Sequence, residues 1–515
     1  MGVAHLDDVQ SQLELHNTFV KSDYACLSHA LRLEMERTDV LIVGAGISGI
    51  GAACHVQQNC PDKSYTVLEA RDAIGGTWDF FRYPGIRSDS DMYTMGYRFK
   101  PWIDDKALAD GDSIRNYICD AATENQVSQH VRTGHRVQAA QWDSERACWQ
   151  VDILVVATEQ LVQIECGFLY LCTGYYDYDK PHIPELAGSE NFAGTIVHPQ
   201  HWPEDFDYSD KKVVIIGSGA TAVTMVPAMT DKAAHVTMLQ RTPSYILSVD
   251  EVDSFSVFLR RWLPEKLSYH ITRWKNIISG MMVYQVCTRR PEWAKSYVRK
   301  GLITLLGEDY DIDKHFKPSY EPWDQRLCMV PDGDLFHAIN DGRASVVTDQ
   351  IDHITQTGIR LKSGEALDAD IIVTATGLTI KLFDGIAMTV DGEPVVVPDK
   401  TVYQGMMLSD VPNMAFTVGY TNASWTLKAD LAAEFITRIM NYMKANDYRQ
   451  CCPRDSSSEM HDSPMMTLKS GYVERAAGSF PNEGSKAPWK MYQNYILDKL
   501  TFKFASLKDG TMDFR

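Results

Sequence analysis

The sequence predicts an α/β protein with two Rossmann-like dinucleotide-binding domains and a helical insertion. Three observations predict it. Two strand–glycine turn–helix–strand units lie about 170 residues apart, two further apolar runs end in glycine, and an aromatic, cation-rich stretch of helical spacing follows the second unit. At 515 residues and 44% apolar composition, the chain is long enough for about three units with sizeable cores.

The first unit opens with the apolar strand Asp39–Val43, which runs into the turn Gly44-Ala-Gly46-Ile-Ser48-Gly49. A helix over Ile50–Gln58 and a strand over Tyr65–Leu68 follow, ending at Glu69. Gly44 suits the tight turn, Gly46 the approach of a pyrophosphate, and Gly49 close helix–strand packing; Glu69 stands where a carboxylate accepts from ribose hydroxyls. The second unit repeats this with Lys212–Ile216, the turn Gly217-Ser218-Gly219-Ala220-Thr221-Ala222, a helix to Met229 and a strand over His235–Leu239. Here Ala222 replaces the third glycine, and Arg241-Thr242 stands where an acid would be expected. A cation there pairs with a 2′-phosphate, so this site is expected to take NADPH, the alternative being that Arg241 is only a solvated strand-end charge. Two modules imply two dinucleotides, FAD at the first and NADPH at the second.

The runs Phe168–Cys172 and Ile371–Thr374, each followed by a glycine, suit crossovers between the modules. The expected division is an N-terminal extension over 1–35, FAD-binding segments over 36–185 and 366–445, a linker with a first NADPH-binding segment over 186–249, a helical insertion over 250–320, a second NADPH-binding segment over 321–365, and a C-terminal segment over 446–515. Met35 would start a dinucleotide fold directly, so residues 1–34 read as dispensable or as an artefact of the start codon. Between Ser254 and Lys300, ten Lys and Arg residues face only Glu265 and Glu292. This stretch is expected to cap the active-site cleft, and a peripheral contact with anionic lipid is the sharper alternative. Residues 451–464 read as an exposed linker, and the tail with Trp489, Tyr492 and Tyr495 as packing back on the body.

Composition excludes several classes. With 50 Lys plus Arg against 68 Asp plus Glu, the net charge of −18 disfavours nucleic-acid binding. Eleven cysteines with no C-x-x-C read as reduced thiols in a cytoplasmic protein, and no metal site is expected. The two long uncharged stretches are broken by Gly-x-Gly pairs, so neither reads as a membrane span, and no signal-peptide pattern is present.

Before the second unit lies Phe192-Ala-Gly194-Thr-Ile-Val-His198-Pro-Gln-His-Trp202-Pro203. Gly75-Gly76-Thr77-Trp78, Tyr83-Pro84-Gly85 and Asp89 accompany it, as do the stretches PWDQRLCMVP (322–331) and VGYTNASWTLKADL (418–431). In these motifs the chain resembles the type I Baeyer–Villiger, or class B, flavin monooxygenases, and among them the ethionamide-activating branch, from about residue 39 to about residue 500.

The resemblance implies an FAD- and NADPH-dependent monooxygenase acting on ketones or on soft sulfur in sulfides and thioamides, by way of a flavin C4a-peroxide. It places Gly44, Gly46, Ser48 and Gly49 on the FAD pyrophosphate, Glu69 on its ribose and Val137 at adenine. Thr77, Trp78, Asp79, Phe80 and Asp89 fall near the flavin, and Arg87, Ser88 and Asp89 near the nicotinamide. Gly217, Ser218, Gly219, Ala220, Thr221, Ala222 and Val223 would cradle the NADPH pyrophosphate, with Arg241 and Thr242 on the 2′-phosphate. Arg326 is the implied active-site cation, holding the peroxyanion and the oxyanion formed at a carbonyl, with Asp89 orienting it. Gln325 stands where some relatives carry a phosphate-binding Lys, which predicts weaker selectivity for NADPH. His198 is a candidate acid–base group, though a hinge role is the better expectation. Two alternatives stay open, an N-hydroxylating flavin monooxygenase and a flavin- and NADPH-binding redox sensor. A disulfide reductase is disfavoured because no cysteine lies between Cys60 and Cys119.

Overall fold

The computed structural model describes residues 36–325, 327–455, 463–466 and 468–515. The predicted extension therefore lies outside the described residues, as does Arg326.

The first unit forms β1 (Glu36–Val43), α1 (Ile47–Asn59) and β2 (Tyr65–Leu68). Successive residues of β1 face opposite sides. Val40 and Ile42 enter a core beside α1, whereas Leu41 and Val43 enter a second core holding Trp142 and Trp149. Burial on both faces explains the uninterrupted apolar run. A nine-stranded sheet forms around β1, which pairs in parallel with β2 on one side and with β3 (Gln160–Leu171) on the other. The exposed first residues of β3 pair antiparallel with Cys148–Val155, and its buried second half pairs with β1.

The smaller sheet has five parallel strands in the order Ala344–Thr348, β6 (His235–Gln240), β5 (Lys212–Ile216), β7 (Ile371–Thr374), β4 (Thr195–Val197), and α2 (Ala220–Met229) joins β5 to β6. This corrects the expected boundary at 366. Strand β7 belongs to the smaller sheet, and the chain rejoins the larger sheet only at Ala387–Val390, beside His135–Asp143. An apolar run identifies a buried strand but not the sheet it joins.

Three helices follow the second unit: α3 (Ser254–Arg260), α4 (Glu265–Arg289) and α5 (Pro291–Leu306). Asp253 caps α3, its carboxylate accepting from the Ser256 N–H, and Pro291 starts α5, where a missing N–H costs nothing. Helix α6 (Trp425–Ala445) covers the large sheet beside α1, and α7 (Tyr495–Phe504) packs on α6. The expected linker at 451–464 is corrected at its start. Cys451–Pro453 is a buried strand paired antiparallel with Met512–Phe514, while 456–462 lie outside the described residues. In the tail, Trp489 and Tyr495 are buried and Tyr492 is exposed.

Candidate active site

A cavity of about 990 Å³ opens where the large sheet, the helical segment and the C-terminal tail meet. One end is backbone. Gly44, Gly46 and Ser48 lie at the start of α1, facing Gly75 and Gly76. Gly49 does not line the cavity but makes the turn possible, since a Cβ there would fall 1.7 Å from the Gly44 carbonyl oxygen. Neither α1 nor α2, which begin after Gly46 and Gly219, carries a side-chain cap. Their first-turn N–H groups are left for an anion, so both turns fit a pyrophosphate.

Glu69, Thr77, Trp78, Phe80, Asp89 and Val137 also line the cavity. The Glu69 carboxylate accepts from the Ala45 N–H at 2.7 Å and the Arg71 N–H at 3.0 Å, and burial pushes its pKa up. Phe80 stacks on Tyr178 with ring centroids 4.0 Å apart. The indole N–H of Trp425 donates to Ser48 Oγ at 2.7 Å, joining the start of α6 to the first turn.

Of the residues predicted near the flavin and the nicotinamide, the structure keeps Asp79, Arg87 and Ser88 out of this cavity. Asp79 is taken up by Arg71 and Arg82, each at 2.7 Å. Arg87 pairs with Asp334 at 2.5 Å, and Ser88 is buried with its Oγ unpartnered. Gly85 packs so close to α2 that a Cβ would fall 2.5 Å from that of Ala228. The loop 83–88 therefore docks the large-sheet unit on the smaller one. The second turn, Gly217–Val223, is also outside the cavity, with Gly219 and Ala220 open to solvent. Ser218 Oγ donates to the Thr242 carbonyl at 2.9 Å, and the Arg241 side chain is exposed beside it.

The linker signature acts as a set of anchors. Phe192 packs on a small core of the smaller sheet, and Trp202 packs edge-on against Phe206 at 5.3 Å. A Cβ on Gly194 would fall 2.2 Å from the Asp370 carbonyl oxygen. His198 Nδ1 accepts from the Gln200 N–H at 3.1 Å, and burial pushes its pKa down to about 4. His198 does not line the cavity, so its position suits a joint rather than a proton donor.

The sequence reading missed the rest of the wall. Leu247, Val249, Phe255, Ile277, Met281, Tyr284 and Trp323 give it an apolar end. Trp323 has φ +77° and lies edge-on to Tyr284 at 5.4 Å, a strained backbone held where the wall needs its ring. Trp323 and Leu327 flank Arg326 in sequence and line the cavity. Residues 421–425 had a visible signal, the stretch VGYTNASW, but folding alone reveals that it meets the first turn. Cys172 is the only cysteine among the lining residues, and burial pushes its thiol up to about 12. Such a thiol stays protonated and has no partner thiol in the cavity wall, unlike a redox dithiol.

Residues 41–279 match the family described as pyridine nucleotide-disulphide oxidoreductase. The chain is 50% identical over 480 residues to the FAD-containing monooxygenase EthA of Mycobacterium tuberculosis, covering 93% of this chain and 98% of that one. It is 47% identical to the probable FAD-binding monooxygenase AlmA of Acinetobacter sp, covering 93% and 96%. A similar solved structure is cyclohexanone monooxygenase from Rhodococcus sp. Phi1 bound to NADP+, with a TM-score of 0.74, 18% identity, and coverage of 94% and 100%.

Proposed function

The chain belongs to the FAD-containing monooxygenases, and from that premise we propose that it inserts one oxygen atom of O2 into ketones, giving esters or lactones, or into the soft sulfur of sulfides and thioamides. The observation that carries this reading is one cavity with an uncapped helix N-terminus at one end and an apolar, aromatic wall at the other. The first end suits a pyrophosphate, and the second suits a ring and an organic substrate held away from water.

Gly44, Gly46, Ser48 and the first turn of α1 would hold the FAD pyrophosphate, Glu69 its ribose, Val137 its adenine, and Thr77, Trp78, Phe80 and Asp89 its ring. The run Gly217–Val223 would hold the NADPH pyrophosphate at the uncapped start of α2, with Arg241 and Thr242 on the 2′-phosphate. FAD reduced by NADPH supplies the activation of O2. Around it the protein excludes water with Ile277, Met281, Tyr284 and Trp323. Arg326 would present a permanent positive charge to the oxyanion that develops on a substrate carbonyl, and Asp89 would orient that guanidinium. His198 and Trp202 work at the joint between the two sheets. The further partner is a lipid surface, touched peripherally through 254–300; no helix among the described residues is long and apolar enough to cross a membrane.

The test follows NADPH, O2 and product together over a ketone, a sulfide and a thioamide. Arg326→Ala should retain FAD and lose on the order of 100- to 1000-fold in oxygenation. Wild-type turnover in that variant would overturn the assignment. Flavin-bound protein that forms no product from any of the three would leave only a redox-sensing role.

A further inference from the structure

Helix α4 is apolar on two faces. Ile277, Met281 and Tyr284 look into the cavity. On the other side Leu267, Ile271, Trp274, Ile278 and Met282 form a stripe at helical spacing, 48%, 37%, 37%, 45% and 58% exposed. A second stripe runs along α7, where Ile496, Leu500 and Phe504 recur every four residues and are 36%, 52% and 71% exposed. The two stripes meet at Trp274. Its ring lies 6.0 Å from that of Tyr495 and 4.6 Å from the Lys499 ammonium. Asn494 and Tyr495, at the start of α7, line the cavity as well. One helix thus carries both part of the cavity wall and the outer apolar stripe.

We propose that the outer faces of α4 and α7 form one docking surface for an anionic lipid bilayer, from which an apolar substrate passes into the cavity behind α4. The route, though not the docking, rests on the cavity being the oxygenation site. Charge selects the occupant. Five of the ten cations between 254 and 300 are matched by acids: Arg260 by Asp105, Arg273 by Asp430, Lys275 by Asp253, Lys295 by Glu292 and Glu321, and Arg299 by Asp313. The sequence-level excess is therefore about half neutralised by the fold. Arg261, Lys266, Arg289, Arg290 and Lys300 have no acidic partner among the described residues, and α7 adds Lys499 and Lys503. Asp498 is turned inward to Lys428 at 2.9 Å, so Glu265 is the one unpaired acid on either helix among the described residues. An apolar face with an unneutralised basic rim, on a chain of net charge −18, matches an anionic surface. A second copy would bring the same positive rim against itself.

The experiment floats the flavin-loaded full chain with vesicles of phosphatidylcholine alone or mixed with phosphatidylglycerol. The protein should float with the anionic vesicles only, and less as salt rises. Leu500→Ser with Phe504→Ser should lower the bound fraction at limiting lipid about tenfold or more, because two large apolar side chains leave the contact. Turnover of a short, water-soluble sulfide should not change in that variant. Anionic vesicles should lower the KM of a long-chain sulfide for the wild type but not for the variant. As a check that needs no variant, lipids brominated in their acyl chains should quench tryptophan fluorescence of the wild type. No flotation at low salt, no quenching, or equal flotation of the double variant would each overturn the proposal. A concentration-dependent dimer abolished by the same substitutions would give the face to a second copy instead. Flotation without oxygenation of any sulfide would retire the oxygenase reading and the substrate route while leaving the docking intact.

Discussion

At His198 the ring is held by its Nδ1, which accepts from the Gln200 N–H, and burial holds its pKa down at about 4 against an ordinary value near 6.5. Between those two values the unfolded chain binds a proton that the folded chain does not. Stability therefore rises with pH across that window, is fully present above about pH 6.5, and is lost as the pH falls toward 4. His198→Gln keeps an acceptor for the Gln200 N–H but cannot titrate. Urea unfolding at pH 7 and pH 4.5 should show a smaller loss for the variant than for the wild type; equal losses would mean that other histidines set the acid limit. Glu69 makes a different prediction. Its two oxygens accept from two backbone N–H groups, so Glu69→Gln turns an amide N–H₂ toward one of them. An unmatched buried donor of this kind costs about 1–3 kcal/mol, and the variant should lose flavin on gel filtration.

The two glycine turns separate at the scale of the element, because the same residue type does different work in each. Gly49→Ala would force a Cβ to 1.7 Å from a backbone oxygen, so α1 must move off β1. We expect a loss of about 3 kcal/mol in stability, together with flavin, read by melting temperature and flavin absorbance. Around Gly219 nothing lies within 4 Å of an added Cβ. Gly219→Ala should fold normally yet raise the KM for NADPH, because the methyl occupies space proposed for the pyrophosphate. An unchanged KM would move the pyrophosphate elsewhere. These turns were legible in the sequence because glycine spacing and short apolar strands are local signals. The strand Cys451–Pro453 was not legible, since its Pro and the polar run after it resemble a linker and its partner lies about 60 residues downstream. Strand β7 was legible as a strand but not as a member of the smaller sheet. Likewise Asp79 and Arg87 sit beside true lining residues in sequence, yet arginine and aspartate partners draw them away from the cavity.

Arg273 binds the helical segment into the whole molecule, and composition gave no hint of it beyond one more cation. It is 3% exposed on α4, and its Nη1 donates to the Tyr93 and Gly96 carbonyls at 2.7 Å and to that of Thr94 at 3.2 Å. Its Nη2 lies 3.6 Å from the Asp430 carboxylate on α6, which also meets His55 of α1 at 3.2 Å and accepts from the Arg98 N–H. Burial opposes the charge on Asp430, but His55 and Arg273 hold its carboxyl below the usual range. One guanidinium thus fastens α4, and with it the cavity wall, to two helices of the large-sheet unit. Arg273→Met keeps the length of the side chain and removes every one of these donors. Leaving a buried carboxylate and three carbonyls short of partners typically costs about 3–5 kcal/mol. Because α4 has an exposed outer face, the loss should appear first as local release of the helical segment. Trypsin should cut the variant at Arg261, Lys266 or Arg289 at protease concentrations that leave the wild type whole, while circular dichroism of the remainder stays native. Simultaneous loss of all structure in urea, with no early cleavage, would show instead that the segment and the large-sheet unit unfold as one cooperative body.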